Sequence, residues 1–408
     1  RISSEPRTGI GSPEDHAETI EKYRELANRR MRGQDSPHQA IDSVVDGMTM
    51  SYPDAVQADR KRFELCKNSD QSQALRYAFF AEREASKIPD IGKEIAPREI
   101  ASTGVIGAGT MGRGIVASLA DSGLPVTVVE ASQEALDNGM TEIVKLYDGM
   151  VQRGRIDAAE KDERLARITG AVGFEALSNT DLVIEAAFED LDVKKQIFGD
   201  LDKVAKPGAI LATNTSYMDI DAIAAATSRP EDVIGLHYFV PANAMRLLEV
   251  VRPAKAAPDA IATGMALAKK TGKIGVLARV CHGFIANRSR LPMVREATFL
   301  VEEGASPAQV DAVLTGLGMP MGPLAVSDLS GLDVSWRMRQ SLADQHDPAH
   351  RYMHLADRMC ELGRFGIKAG KGWYSYDEGG RRPTQDPEVE AVAIEVAKAQ
   401  GTQRRDIS

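Results

Sequence analysis

The sequence predicts an α/β chain: a doubly wound, mainly parallel sheet, preceded by a helical connector and followed by an all-helical domain. Three observations predict it. A glycine-rich turn separates a short apolar strand at Gly104-Val105-Ile106 from a helix-compatible run at Ile115 to Leu119. Short apolar runs then alternate with helical stretches from about 99 to 279, the pattern of a parallel sheet covered on both faces. After Cys281 the strand-like runs give way to helical patterning.

In chain order, residues 1 to about 11 are polar and read as a linker. Ser12-Pro13-Glu14-Asp15 starts a helix, with proline at the first helical position. Ser36-Pro37 and Ser69-Asp70 start further helices, the last running through Ala74 to Phe80. Residues 1–98 are therefore a connector, with no grouping of side chains that suggests chemistry. Pro89 and Pro97 punctuate the passage into the sheet.

The stretch Val105-Ile106-Gly107-Ala108-Gly109-Thr110-Met111-Gly112 reads as strand end, turn and helix start. Gly107 permits the tight turn, Gly109 lets backbone approach a pyrophosphate, and Gly112 lets the helix pack close on the strand. The unpaired N–H groups at the helix start favour an anion there. A second strand, Val126 to Val129, ends on Glu130, eighteen positions after Gly112. That carboxylate falls where it would accept bonds from an adenosine ribose, and its charge would repel a 2′-phosphate. The pattern is that of a Rossmann-type domain over 99–279 and favours NAD over NADP. Gly107, Gly109, Thr110, Met111, Gly112 and Glu130 are the cofactor-binding candidates.

A long helical region follows, through Leu146 and Leu165, whose Lys145, Arg153 and Arg155 suit a solvated face. Three strands are then expected at Leu182–Ala186, Ala209–Thr213 and Val233–His237, each ending in small or polar residues where open parallel sheets place ligands. Leu247–Val251 is a fourth apolar stretch with Glu249 inside it, a costly position unless the carboxylate is paired or exposed. From Cys281 on, Gly283 to Arg288 opens a long helix through Phe299, and Pro307 and Asp311 start another. Met319 to Pro323 forces an irregular turn, and Gly370-Lys371-Gly372-Trp373-Tyr374 closes the helical domain of 280–378. Residues 379–408 read as a linker and a helix that stops unfinished.

Size and composition restrict the function classes. A chain of 408 residues has room for two or three domains, and 43% hydrophobic with 27% charged residues is ordinary for a water-soluble fold. A net charge of −9 argues against a nucleic-acid partner. No apolar run reaches the length of a membrane span. Cys66, Cys281 and Cys360 are too scattered for a disulfide framework or a metal-ligand pattern, which points to a reducing compartment. The chain opens on Arg1 rather than methionine, as a piece of a longer protein would.

Asn214-Thr215-Ser216, His237-Tyr238-Phe239, Arg246 to Val250, and Gly283 to Arg288 resemble, in order and spacing, motifs of the L-3-hydroxyacyl-CoA dehydrogenases. Gly322-Pro323, Asp328 and Gly331-Leu332-Asp333 resemble that family's substrate-domain signature. The likeness covers roughly residues 100 to 378. Gln73 to Glu84 looks like the helical connector of multifunctional fatty-acid-oxidation enzymes, where it follows an enoyl-CoA hydratase domain. The resemblance therefore implies the dehydrogenase part of a bifunctional enzyme, with a hydratase domain of the same full-length chain and self-association as prospective partners. It implies an acyl-CoA thioester substrate, NAD as cofactor, no metal, no membrane, and a cytoplasmic location (peroxisomal in a eukaryote).

Oxidising a secondary alcohol needs a base for the hydroxyl proton and an acceptor for the hydride, and histidine suits the first task. The resemblance gives that role to His237, with Glu249 twelve residues on as its partner. Without the flanking motifs, a satisfied core histidine beside an unrelated carboxylate would be the better reading. By the same resemblance Ser216 meets the reacting 3-oxygen and Asn287 holds the substrate near the thioester; a helix cap and a helix-start hydrogen bonder are their plain alternatives. Val240 departs from the family, which usually has asparagine or serine three residues after the histidine. Ser289-Arg290 also departs, and an arginine there would favour a shorter or more polar acyl chain.

Other chemistries fit less well. His346, His350 and His354 recur every four residues, but Pro348 interrupts the run and no cysteine or acid ligand accompanies it. A solvated surface is the preferred reading. There is no Gly-x-Ser-x-Gly elbow and no Walker-type lysine. Two alternatives to the dehydrogenase stay open: an NAD(H)-binding scaffold with little turnover, and a 3-hydroxyacid dehydrogenase, which would use a lysine base.

Overall fold

The computed structural model describes residues 11–92, 94–377, 380 and 382–407. Most of the expected N-terminal linker, and residues 378, 379, 381 and 408 of the C-terminal stretch, lie outside them. The chain divides into two compact units: residues up to Glu84 with Ala312–Met321, and Ala85–Asp311 with Gly322–Ser408.

In the first unit, the stretch up to Glu84 is built from α1 (Ala17–Arg30), α2 (Ser36–Thr49), α3 (Tyr52–Asn68) and α4 (Asp70–Ala85). The expected start at Pro13 is a single 3-10 turn, Glu14–His16, with α1 following it. α3 is a separate helix inside the stretch that the sequence marks as helical; Ser51 caps it by accepting from the Asp54 N–H. α4 buries no residue and exposes Leu75, Tyr77, Phe79 and Phe80.

The second unit is built on an eight-stranded sheet of order β3-β2-β1-β4-β5-β6-β7-β8. The strands are β1 (Thr103–Ile106), β2 (Val126–Glu130), β3 (Ile168–Val172), β4 (Leu182–Glu185), β5 (Ile210–Thr213), β6 (Val233–Tyr238), β7 (Leu247–Arg252) and β8 (Ile274–Arg279). β3 and β8 are additions to the strands expected from the sequence. All neighbouring pairs are parallel except β6–β7, which is antiparallel.

Side chains alternate between two buried layers. Val105, Val128, Ile184 and Leu236 face one, with Ile115, Leu119, Ile143 and Ile261. Ile106, Val129, Val183 and Leu211 face the other, with Phe198, Leu201 and Ile223. Each such side chain contributes about 1.5–3 kcal/mol when fully buried, against about 0–1 kcal/mol for a surface ion pair. The sandwich of apolar layers therefore dominates stability.

The covering helices are α5 (Thr110–Asp121), α6 (Gln133–Gln152), α7 (Ala158–Leu165), α8 (Leu191–Val204), α9 (Ile220–Ala224) and α10 (Pro258–Lys270). The helical region expected through Leu165 is in fact two helices, broken at Gly154, whose φ of 62° is left-handed. Asp157 and Glu160 then form a capping box that restarts the chain as α7.

Beyond the sheet come α11 (Ala286–Glu302), α12 (Pro307–Gly316), α13 (Pro323–Ser330), α14 (Leu332–Ser341), α15 (His354–Glu361) and α16 (Pro387–Gln400). The last helix does not stop unfinished, as expected from the sequence. It closes on Gly401 in the left-handed region, and the residues that follow are tied down. Arg404 donates to the Val301 and Glu302 carbonyls, and Thr402 Oγ1 to Glu302.

Two buried aspartates lock this helical part together. Asp328 accepts from the Trp373 and Tyr374 N–H groups and the Tyr376 hydroxyl. Asp311 accepts from the Leu324 and Ala325 N–H groups and the Tyr374 hydroxyl. Burial nevertheless pushes the Asp328 carboxyl up to about 6.

Candidate active site

The strand order reverses direction at β1, beside β4, and open parallel sheets bind ligands in the crevice at such a switch point. The glycine turn sits there. Gly107 has φ 94°, and a Cβ on it would meet the Ala186 carbonyl at 2.8 Å. A Cβ on Gly112 would lie 1.8 Å from the Gly107 carbonyl oxygen, so no larger residue fits without shifting the turn. Gly109 differs: a Cβ there would meet nothing within 4 Å. Its backbone borders open space, as the approach of a pyrophosphate requires.

Thr110 and Met111 open α5. Glu130, at the end of β2, accepts from the Ala108 N–H at 2.5 Å, which brings the carboxylate onto the turn. These residues fit a dinucleotide: a close-approach turn, a helix start and an acid at the ribose position.

The polar residues at the strand ends converge next to this crevice. β6 and β7 are in register with His237 directly opposite Glu249. His237 Nδ1 lies 2.6 Å from Glu249 Oε2, and both side chains are almost wholly buried. The other ring nitrogen, Nε2, is 3.1 Å from Ser216 Oγ. An Nδ1–H donating to the carboxylate leaves Nε2 free to accept a proton. The ring is packed by Phe239 and Phe284, at centroid distances of 4.4 and 5.5 Å.

Glu249 is held from a second direction. Its Oε1 accepts from the Ile285 and Ala286 N–H groups, at 3.0 and 2.8 Å. Those donors are aimed by a turn at Gly283 and Phe284, with φ of 72° and 47°. A left-handed phenylalanine costs roughly 1–2 kcal/mol, a strain that recurs at functional sites. The carboxylate inside an apolar strand is thus fully satisfied.

Ser216 caps no helix; Asp219 caps α9. Its loop is set by Asn214, whose side-chain oxygen accepts from the Tyr238 N–H, and by Glu189, which accepts from the Ser216 N–H and the Thr215 hydroxyl. Glu189 is in turn held by Lys194, which is buried and also bonds Glu185 at 2.7 Å. Glu185 takes further bonds from the Thr213 hydroxyl and the Ala187 N–H. Sequence reasoning passed over Glu185, Glu189 and Lys194. Only the apolar run ending on Glu185 could have marked one of them as buried.

Asn287 is the second residue of α11; its side chain makes no hydrogen bond among the described residues and lines a cavity of about 430 Å³. Val240 is half-buried and precedes Pro241. The three regularly spaced histidines do not share a helix: only His354 lies in α15, while His346 and His354 flank the Tyr352 ring at 5.0 Å.

A dinucleotide turn at the switch point and a buried histidine–carboxylate pair beside it define a nucleotide-dependent dehydrogenase architecture. Residues 102–281 match the 3-hydroxyacyl-CoA dehydrogenase NAD binding domain, and residues 283–376 match the 3-hydroxyacyl-CoA dehydrogenase C-terminal domain. The chain belongs to the 3-hydroxyacyl-CoA dehydrogenase family.

Among curated relatives, the peroxisomal bifunctional enzyme of Danio rerio is 39% identical over 396 residues, covering 93% of this chain and 54% of the relative. The chain thus spans about half the length of the curated relatives it matches. Among solved structures, Mycobacterium tuberculosis FadB2 superposes with a TM-score of 0.66 at 38% identity, covering 69% of this chain and all of that one. The (S)-3-hydroxybutyryl-CoA dehydrogenase of Ralstonia eutropha gives 0.63 at 36% identity, with 69% and 100% coverage.

Proposed function

We propose that this chain oxidises (S)-3-hydroxyacyl-CoA thioesters to 3-oxoacyl-CoA with NAD. The observation that carries the reading is the His237–Glu249 pair, one ring nitrogen anchored and the other turned toward Ser216. His237 Nε2 takes the hydroxyl proton, while bound NAD supplies the hydride acceptor. Glu249 holds the tautomer with Nε2 unprotonated and stabilises the imidazolium once the proton arrives. Ser216 is the hydrogen-bonding partner of the 3-oxygen, and Asn287 holds the thioester end. Gly107 to Gly112 and Glu130 hold the nucleotide. In the reverse direction His237 returns the proton to the 3-oxygen.

We further take the chain as the dehydrogenase part of a longer bifunctional protein with a hydratase part. Its relatives' length and the name "bifunctional enzyme" support that reading. No helix of the described residues is long and apolar enough to cross a membrane.

Acetoacetyl-CoA-dependent NADH oxidation tests the activity. Wild type should turn over and His237→Ala should lose at least about a hundredfold in kcat. A chain that binds NADH tightly yet oxidises none with the thioester would be a scaffold instead.

A further inference from the structure

β6 carries His237 to the crevice edge of the sheet, and β7 returns from that edge to Glu249, so the loop of residues 239–246 joins base to partner. The loop also touches the nucleotide side. Phe239 packs on the His237 ring at 4.4 Å. Ala242 lies against α5: a Cβ on Gly114 would meet the Ala242 Cβ at 3.0 Å and its nitrogen at 3.1 Å. α5 is the helix that opens at the glycine turn. One loop therefore borders both the base and the helix expected to face the pyrophosphate.

Inside the loop, the Ala244 and Met245 N–H groups both donate to the Pro241 carbonyl. The Ala242 and Met245 carbonyls are held from outside. Lys273, immediately before β8, donates to them from Nζ at 2.6 and 2.8 Å. The same ammonium lies 5.5 Å from the centre of the Tyr238 ring, next to the base. Lys273 is buried and pairs with no carboxylate among the described residues, and desolvation pulls its pKa down. Burying an ammonium is costly. A methionine would fill much the same space without that cost, but would leave two carbonyls without a donor. Bonds from a charged donor are shorter and stronger than neutral ones, and here they pin the loop at two points.

We propose that Lys273 is a positioning residue for the reaction: by clamping the Ala242 and Met245 carbonyls it seats the β6–β7 loop against α5 and so fixes the nucleotide helix relative to His237. The inference rests on the dehydrogenase reading above and adds a residue that acts through the loop.

The test pairs Lys273→Met with Gly114→Ala, which crowds the same loop from the α5 side. Lys273→Met should lower kcat for acetoacetyl-CoA-dependent NADH oxidation about tenfold to a hundredfold, the effect of a small misplacement of reacting groups. NADH affinity by fluorescence titration should weaken about threefold to tenfold. KM for the thioester should change little, because the cavity at Asn287 is lined by other elements. Rates are taken per folded chain, with the folded fraction read by far-ultraviolet dichroism at the assay temperature. Gly114→Ala should act in the same sense, and the double variant should lose no more than the stronger single one, since both displace one loop. Lys273→Gln keeps two N–H donors and should lie between wild type and Lys273→Met.

The proposal is overturned if folded Lys273→Met keeps kcat and NADH affinity within about twofold of wild type, or if the losses of the two single variants multiply in the double one. Should Lys273→Met fail to fold, Lys273→Gln carries the same comparison. Failure of both to fold, or early melting with normal turnover per folded chain, would make the lysine a structural strut and overturn the proposal. An active wild type with indifferent variants sinks only this inference, whereas an inactive wild type sinks the dehydrogenase reading itself.

Discussion

His237 and Glu249 face each other across the antiparallel β6–β7 pair, with Nδ1 and Oε2 2.6 Å apart. Direct cross-strand opposition places the two side chains on one face with little freedom to part. Glu249→Gln keeps the shape but removes the charge that fixes the Nδ1–H tautomer. We expect kcat to fall by about 10²–10⁴ with a much smaller change in KM. Steady-state NADH oxidation with acetoacetyl-CoA reads this directly, and a loss below tenfold would show that the carboxylate is dispensable.

The glycine turn offers a paired test. Gly112→Ala forces a methyl group into the Gly107 carbonyl, so both thermal stability and NADH affinity should drop. Gly109→Ala meets no protein atom, so its melting temperature should stay near that of wild type. Its NADH affinity should still fall, because the methyl group occupies the approach of the pyrophosphate. NADH fluorescence titration beside thermal melts separates the two. Unchanged affinity in Gly109→Ala would place the pyrophosphate elsewhere.

Lys194 is the buried counter-charge of Glu185 and Glu189. Lys194→Met leaves Glu185 a buried anion with only neutral donors. Stability should fall by about 3–5 kcal/mol in denaturant unfolding, the usual result of breaking a buried pair from one side. Because Glu189 also sets the Ser216 N–H, kcat should fall even where the variant is fully folded. A change under about 1 kcal/mol would mean that water replaces the ammonium.

How much of this was legible beforehand varies with the physics involved. The β1 turn and Glu130 are local features, written within some thirty residues, and strand, turn and helix form where the glycines put them. β3 was hidden because Ile168–Val172 is largely exposed and lacks the continuous apolar run of an inner strand. The meeting of His237 with Glu249 came only from the family motifs, since spacing cannot say that the chain reverses between β6 and β7. Lys194 lies in a charged stretch, Glu189 to Lys195, that reads as solvated; nothing local marks it as the residue turned inward. Asn287 and Ser216 were expected from resemblance too, and burial patterning alone would have left both unremarked.

Asp328 makes stability depend on pH in a direction opposite to that of most carboxylates. An unfolded aspartic acid titrates near 3.8, and burial holds this one at about 6, so the folded chain binds the proton more tightly. Its stabilising contribution is complete below about pH 4 and is lost as pH rises through about 6. Two pKa units amount to about 3 kcal/mol at most. Relative to Asp328→Asn, wild type should therefore lose unfolding free energy between pH 4 and pH 7. A pH-independent difference between the two would place the carboxyl back in the ordinary range.

Because the Ile285 and Ala286 amides grip the same acid that orients the base, the sheet's proton chemistry is interlocked with the start of the helical part. Loosening that joint would free the acid to rotate while every strand stayed paired. Turnover should then fade on heating before the far-ultraviolet dichroism changes, whereas simultaneous loss would mark sheet and helices as one cooperative block. Substitutions that shift residues 283–286 would accordingly lower turnover through the orientation of Glu249.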